Sequence, residues 1–517
     1  MKCKRFVFSR EIVIISIVFI LAFLNRFCFL AVWPEGALPD EAYGAYNAYG
    51  LMTEGIDSRG YSFPVYFVAW GSGMSVLYSY LAIPFFKLFG VGLWAYRLPQ
   101  AIISFCSVIA IYTVCKELYS KKMGVFLAFV LAINPWSIMN ARFGLDANMA
   151  PGMFIIGFCF LVLGIRKSSK YMILAAMFMG LTLYCYALSW IVVPLFLVLC
   201  LAFCWKSIPF DKYTWIAVGL LFLMALPLIL FLAINLGFMP EIRTDFFSIP
   251  KLASFRGNEM SFKNILNSLM KTIKTILLQY DNAGHTSSEL VGAYYLFTTP
   301  FFVFGIIYHL WYVVRHLKFG QSPLECVWLF WLFGAAIICV LNESITMIHI
   351  NLIHLPIIFY SGYGIWKFAE ILKNFRMVPV ICVFFIISYI IFAKDYFTEE
   401  STYFFGDKAS EAIKKAEEMV PEGETIYIYQ VSTIKYSNLL WLELPNVRHL
   451  SENIVYDQTS HPAWQEMLYY DGFGYITDVS QATEEGVYIL FNQFVERFYL
   501  EGFEIVPVNS WYSIAWK

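Results

Sequence analysis

Eleven stretches of mostly apolar residues recur along this chain. Each is close to the roughly 20 residues that a helix needs to cross the hydrocarbon core of a bilayer. They lie at about 12–31, 97–116, 123–140, 150–165, 171–187, 189–205, 213–235, 293–313, 324–341, 351–368 and 377–393. Inside lipid the backbone polar groups have no water to bond, so such segments are expected to be helices packed as a polytopic bundle. Composition agrees: 60% of the 517 residues are hydrophobic and 14% charged, against about 25% charged in soluble domains. The first stretch follows Lys2, Lys4, Arg5 and Arg10 and has no small-residue cleavage site, so it reads as a retained anchor.

The net charge of −1 averages two different objects. Residues 394–517 carry 20 acidic and 8 basic side chains, and residues 1–393 carry 17 acidic and 28 basic. The expected domains are therefore a membrane body, 1–393, and a small acidic α/β domain, 394–517. All eleven cysteines lie at or before Cys382. They read as small apolar residues of membrane helices, and a disulfide-stapled tail is excluded. With the apolar segment 74–90 taken as a juxtamembrane helix, one face of the membrane collects 17 basic and five acidic residues and the other 11 and 12. The positive-inside rule then puts the N-terminus in the cytoplasm and the acidic tail outside.

Polar chemistry gathers in the outer loops 32–96, 141–149 and 236–292. Within the last, Phe262, Ile265, Leu266, Leu269, Met270, Ile273, Ile276 and Leu277 fall on one helical arc with Lys263, Lys271 and Lys274 beyond its edge. That pattern fits either an interfacial helix, lysines toward lipid phosphates, or a lid packed on the bundle.

In the first loop Pro39 precedes Asp40 and Glu41, and Tyr43, Tyr46 and Tyr49 follow at helical spacing. Proline at a helix start and acids in the first turn suit each other, so the plain reading is a capped interfacial helix. The short loop Asn140–Asn148 holds Arg142, Asp146 and two asparagines at the membrane boundary, where polar groups usually mark function or mutual pairing. An Arg142–Asp146 pair is the alternative there.

Together these motifs resemble the GT-C class of polytopic glycosyltransferases, family 39-like, which includes protein O-mannosyltransferases and aminoarabinose transferases of lipid A. The resemblance runs over about residues 10–370. It rests on Asp40-Glu41, Phe85–Gly90 followed by Arg97-Leu98-Pro99, Asn134-Pro135 leading into Arg142–Asp146, and His349-Ile350-Asn351 before Leu355-Pro356. It implies a GT-C-like bundle of about 11 transmembrane helices with outer juxtamembrane helices. It also implies transfer of a sugar from a polyprenyl-phosphate donor to an extracytoplasmic acceptor (protein, lipid or cell-wall glycan), usually with inversion, in the plasma membrane of a bacterium.

Such a reaction needs a carboxylate for the acceptor proton and donors for the departing phosphate. Asp40 is the candidate base, with Glu41 and Asp146 in support. Arg142, with a guanidinium that can grip phosphate in bidentate fashion, leads the phosphate candidates. Arg97, Arg256, Lys271, Lys274 and His349 follow, and Asn148 joins Arg142 as a substrate-binding residue. Tyr43, Tyr46 and Trp70 are candidates for stacking on sugar faces, although an aromatic belt explains such residues as well. Some relatives carry a Glu-Lys-Pro stretch with a phosphate-binding lysine; the comparable stretch here, Tyr61–Tyr66, has neither acid nor lysine. Related oligosaccharyltransferases hold a divalent metal with outer-loop carboxylates, a role open to Asp40, Glu41 and Asp146, but a metal-free, cofactor-free mechanism is favoured. No Gly-rich βαβ fingerprint for a nucleotide sugar is present.

The tail reads as a helix at Lys408–Met419, strands at Thr425–Gln430 and Val487–Phe491, a helix at Phe494–Glu501 and a final strand pair at Phe503–Val508 and Trp511–Ala515. His449 and His461 stand alone in it, so it reads as a capping or acceptor-binding module. The rival functions are a transporter or lipid flippase, which would place ionisable groups inside the spans, and a non-enzymatic membrane protein with an outer domain.

Overall fold

A computed structural model describes residues 10–69, 73–253, 265–280, 286–318, 324–341, 346–398, 409–420, 424–429, 441–456, 467–470, 472–483 and 486–517. The chain forms two compact units, one of residues 1–30, 97–226 and 257–403 and one of residues 31–96, 227–256 and 404–517. The helices are α1 (Arg10–Phe27), α2 (Pro39–Thr53), α3 (Leu77–Phe89), α4 (Leu93–Leu118), α5 (Lys121–Ala132), α6 (Pro135–Asn140), α7 (Asp146–Arg166) and α8 (Tyr171–Leu183). There follow α9 (Ser189–Cys204), α10 (Lys212–Asn235), α11 (Ile265–Leu278), α12 (Thr299–Lys318), α13 (Val327–Leu341), α14 (His354–Ile371), α15 (Met377–Tyr396), α16 (Ala409–Met419), α17 (Val447–Asn453) and α18 (Val495–Leu500).

Among the described residues, six helices are long and apolar enough to cross a membrane, and α3, α8 and α13 are shorter apolar ones. The chain is a multi-pass membrane protein. In α7 78% of the most apolar window is buried, whereas in α10 and α15 only 17% is. The side chains left outside on those two helices are apolar, among them Phe222, Leu223, Phe384 and Ile387. A surface of this kind is stable against lipid, not water. Helices α12 and α14 approach until a Cβ on Gly305 would lie 2.5 Å from the carbonyl oxygen of Tyr360, the small-residue packing that membrane helices use in place of a hydrophobic drive.

The segment 123–140, expected as one span, is two helices. Asn134 adopts an extended backbone (φ −69°, ψ 131°), its side chain caps Ser137 N at 3.1 Å, and Pro135 opens α6. Proline has no N–H for the previous turn and disfavours helical geometry at the residue before it, so the helix stops and restarts. The segment 74–90 folds as α3, whose 13 residues rise about 20 Å, short of the hydrocarbon core.

Helix α11 is amphipathic in the inverse sense. Ser268, Thr272 and Gln279 are buried, while Leu266, Met270, Ile273 and Leu277 are exposed. Thr272 Oγ1 donates to Cys339 O at 3.1 Å, and Gln279 Nε2 to Thr299 Oγ1 at 2.9 Å. Polar groups hold the helix to its neighbours and apolar groups face outward, so the exposed face suits a membrane interface. The sequence-derived residues Phe262, Lys263 and Arg256 lie outside the described residues.

In residues 404–517 of the second unit the described strands are β1 (Ile426–Tyr429), β2 (Val455–Tyr456), β3 (Met467–Tyr470), β4 (Phe473–Ile476), β5 (Val487–Phe491), β6 (Glu504–Pro507) and β7 (Tyr512–Trp516). They form one sheet in the order β6-β7-β5-β1-β4-β3-β2. Strand β1 pairs in parallel with β5 and β4, and the other pairs are antiparallel. On one face Ile426, Ile428, Val487, Ile489 and Ile514 form a core with Ala412, Ile413 and Ala416 of α16. Tyr46 of α2 and Ile56 belong to that same core.

Candidate functional site

The carboxylate pair opens α2. Leu38 is extended (φ −62°, ψ 150°), Pro39 takes the first helical position, and Asp40 and Glu41 fill the first turn, where unpaired backbone N–H groups favour negative charge. Asp40 is half-buried and Glu41 fully buried. Tyr43 and Tyr46, expected as sugar platforms, are 1% and 0% exposed. Their hydroxyls donate to Val68 O at 2.7 Å and Pro445 O at 3.0 Å, so both rings are spent on fixing the helix. Trp70 lies outside the described residues.

Beside the helix stands a carboxylate that sequence reasoning missed. Asp57 is fully buried, and its Oδ1 accepts from Arg59 N and Tyr61 N, each at 2.9 Å. Its Oδ2 has no hydrogen-bond partner among the described residues. Burial pushes the Asp57 carboxyl up to about 6, with the two N–H groups, Arg59 and Arg243 pulling the other way. The loop is pinned to α2, since Asn47 Oδ1 accepts from Ser58 N at 2.8 Å. The signal available in the sequence was Asp57-Ser58-Arg59-Gly60, an Asx turn closed by a glycine that here has φ of 76°.

In the other unit the α6–α7 turn gathers the polar residues of the short loop. Asp146 and Asn148 lie in the first turn of α7, 7% and 1% exposed. Gln100 of α4 donates through Nε2 to Asn140 Oδ1 and Asn148 O, each at 2.9 Å. Asn351 donates to Ala147 O at 2.5 Å. Gln100 escaped the sequence reading because one amide in an apolar helix carries no spacing signal. Asn351 stood only as a neighbour of His349. The cavity beside Gln100, Trp136 and Asn148 has about 10 Å³ of usable space, room for a water but not a sugar.

Arg142 is fully buried, and its guanidinium donates to Asn25 O at 2.8 Å, Cys28 O at 2.8 Å and Phe29 O at 2.9 Å. It also lies over the Phe397 ring at 4.9 Å. Arg97, equally buried, donates to Leu30 O at 3.0 Å. Both arginines thus satisfy carbonyls at and just beyond the C-terminal end of α1, the negative pole of a helix. Phe29 has φ of 56° there, a left-handed conformation that costs a bulky residue free energy, and its carbonyl accepts from Arg142 Nη2.

His349 is half-buried, its Nδ1 3.1 Å from Thr346 Oγ1. Lys274 and Lys271 are exposed on α11. Among the described residues no three His, Cys, Asp or Glu side chains converge as a metal cage would require.

Comparison with solved structures settles what this architecture is. ArnT from Cupriavidus metallidurans bound to undecaprenyl phosphate superposes with a TM-score of 0.59 at 12% identity, over 98% of this chain and 97% of that one. The GT-C glycosyltransferase fold is what this chain has. Apo ArnT from the same organism gives a TM-score of 0.58 at 11% identity, over the same shares of the two chains. The GT-C fold extends to the Archaeoglobus fulgidus oligosaccharyltransferase in complex with Zn and sulfate, with a TM-score of 0.53 at 14% identity over 84% of this chain and 61% of that one. Residues 74–231 match the family model for dolichyl-phosphate-mannose-protein mannosyltransferase. No curated protein matches in sequence.

Proposed function

We propose that this GT-C chain is a membrane glycosyltransferase that moves a sugar from a polyprenyl-phosphate donor to an extracytoplasmic acceptor. The observation that carries the reading is the Asp40-Glu41 pair in the first turn of a helix whose tyrosines and asparagine are locked by hydrogen bonds, within this fold. The undecaprenyl phosphate bound by ArnT supports the donor class. Asp40, the less buried acid, accepts the proton of the acceptor hydroxyl. The acceptor oxygen bonds to the anomeric carbon as the carbon–oxygen bond to phosphate breaks, and polyprenyl phosphate leaves with the electron pair, inverting the centre. Glu41 and Asp146 support this chemistry as buried acids, and Asn148 helps to bind substrate.

Among the cations, Lys274 and Lys271 serve the donor phosphate from an exposed face, and His349 is a weaker partner. Arg97 and Arg142, the other candidates for the donor phosphate, have guanidinium N–H groups engaged by carbonyls of residues 25–30. Under this reading the N-terminus lies in the cytoplasm of a bacterium and the acidic residues 394–517 lie outside. Its test is reconstitution with polyprenyl-phosphate sugars and measurement of released polyprenyl phosphate. Turnover with one of them is the expected result, and none with any such donor would overturn the reading.

A further inference from the structure

The C-terminal region shares its core with the helix that carries Asp40. Tyr46 and Ile56 pack in one cluster with Val447, Leu450, Ile426 and Ile489. Tyr46 Oη reaches Pro445 O at 3.0 Å, and Asn446 Nδ2 reaches Glu54 Oε1 at 3.4 Å. At Gly50 the fit is close, since a Cβ there would stand 2.8 Å from Val447 Cγ2 and 2.8 Å from Ile56 O. Along a helix that rises 1.5 Å per residue, Tyr46 and Gly50 lie about 9 and 15 Å from Asp40. Of the two helix-weakening glycines in α2, Gly44 and Gly50, the second stands against the C-terminal region.

We infer that the segment 445–450 is the seat of α2, and that Val447 is a positioning residue which sets where Asp40 stands. This rests on the transferase reading of Asp40. An acidic α/β tail is then no appendage, because the helix bearing the proposed base cannot settle without it. Packed cores shift in discrete steps rather than deforming smoothly, so excess volume at Val447 moves α2 as a body. A misplacement of about 1 Å can cost up to about 10²-fold in rate.

The test compares full-length Val447→Phe, Val447→Ala, Gly50→Ala and the Gly50→Ala/Val447→Ala double variant. Donor turnover, thermal midpoint and hydrogen exchange of the amides at 40–46 are measured on each. Seating predicts that Val447→Phe lowers kcat by about 10-fold or more, with KM for the donor within about twofold. Val447→Ala should lower kcat by less than Val447→Phe, whatever its midpoint, and the double variant should recover kcat over Gly50→Ala. Exchange at 40–46 should rise in Val447→Phe but not in Val447→Ala. If kcat instead tracks the midpoint through the whole series, or the double variant recovers nothing, the seat is merely structural. Should wild type turn over no donor, the transferase reading fails. The exchange pattern then decides the seat by itself, and equal exchange in both Val447 variants overturns it.

Discussion

Arg142 donates through Nη2 to the carbonyl oxygen of Cys28 at 2.8 Å, closing a helix end 114 residues earlier in the chain. The bond belongs to a fork that also takes Asn25 and Phe29, and only a planar guanidinium spans such a set. Arg142→Lys should therefore lower stability by about 3 kcal/mol or more, because buried carbonyls lose their partners. The thermal midpoint of the purified protein checks this. A midpoint equal to wild type would mean that the α1 end does not depend on the fork.

Asn351 holds the first turn of α7 through Ala147 O. Replacing it with aspartate removes the only donors of that side chain and sets a charge against a carbonyl. Asn351→Asp should be more damaging than Asn351→Ala, which loses about 1–3 kcal/mol. Comparing the thermal midpoints of the two variants decides the order, and the reverse order contradicts the role.

Asp57 gives a pH prediction. Its carboxyl sits at about 6 in the folded chain against an ordinary 3.8, so between those values the folded state binds the proton more tightly than the unfolded one. Its contribution is destabilising above about pH 6 and is relieved as pH falls through 6 toward 4, by up to about 3 kcal/mol. The midpoint should rise on acidification across that window, and Asp57→Asn should flatten the rise. An unchanged pH profile in the variant would remove Asp57 as the cause.

The inverse amphipathy of α11 predicts its environment. A tryptophan at Met270 should emit as in an apolar medium and be quenched by lipids brominated in their acyl chains. One at Lys274 should respond to a water-soluble quencher instead. Equal quenching at both positions by the aqueous agent would contradict the interfacial placement.

Most of the helical architecture was legible, because apolar segments of the required length admit few other structures. The break at Asn134-Pro135 was legible in principle, yet hydropathy alone runs straight through it. The strands at Ile426–Tyr429 and Val487–Phe491 fall within the ranges that their β-branched and aromatic residues suggested. Of the candidate site residues, Asp40 stood out beside Glu41 in the loop 32–96, and Asp146 and Asn148 as polar groups in a short loop, whereas Gln100 and Asp57 gain meaning only from partners that the fold supplies. Arg142 shows the limit most plainly. Its chemistry suits phosphate, but its position gives the guanidinium three carbonyls, a use that no spacing in the sequence reveals.

The most direct measurement is the rate of polyprenyl-phosphate release by Asp40→Asn beside wild type, in the same reconstituted membranes and at matched folded protein. A positioned base predicts a fall of about 10²–10⁴-fold with the thermal midpoint little changed. Near-wild-type release by the variant would contradict the account at its centre.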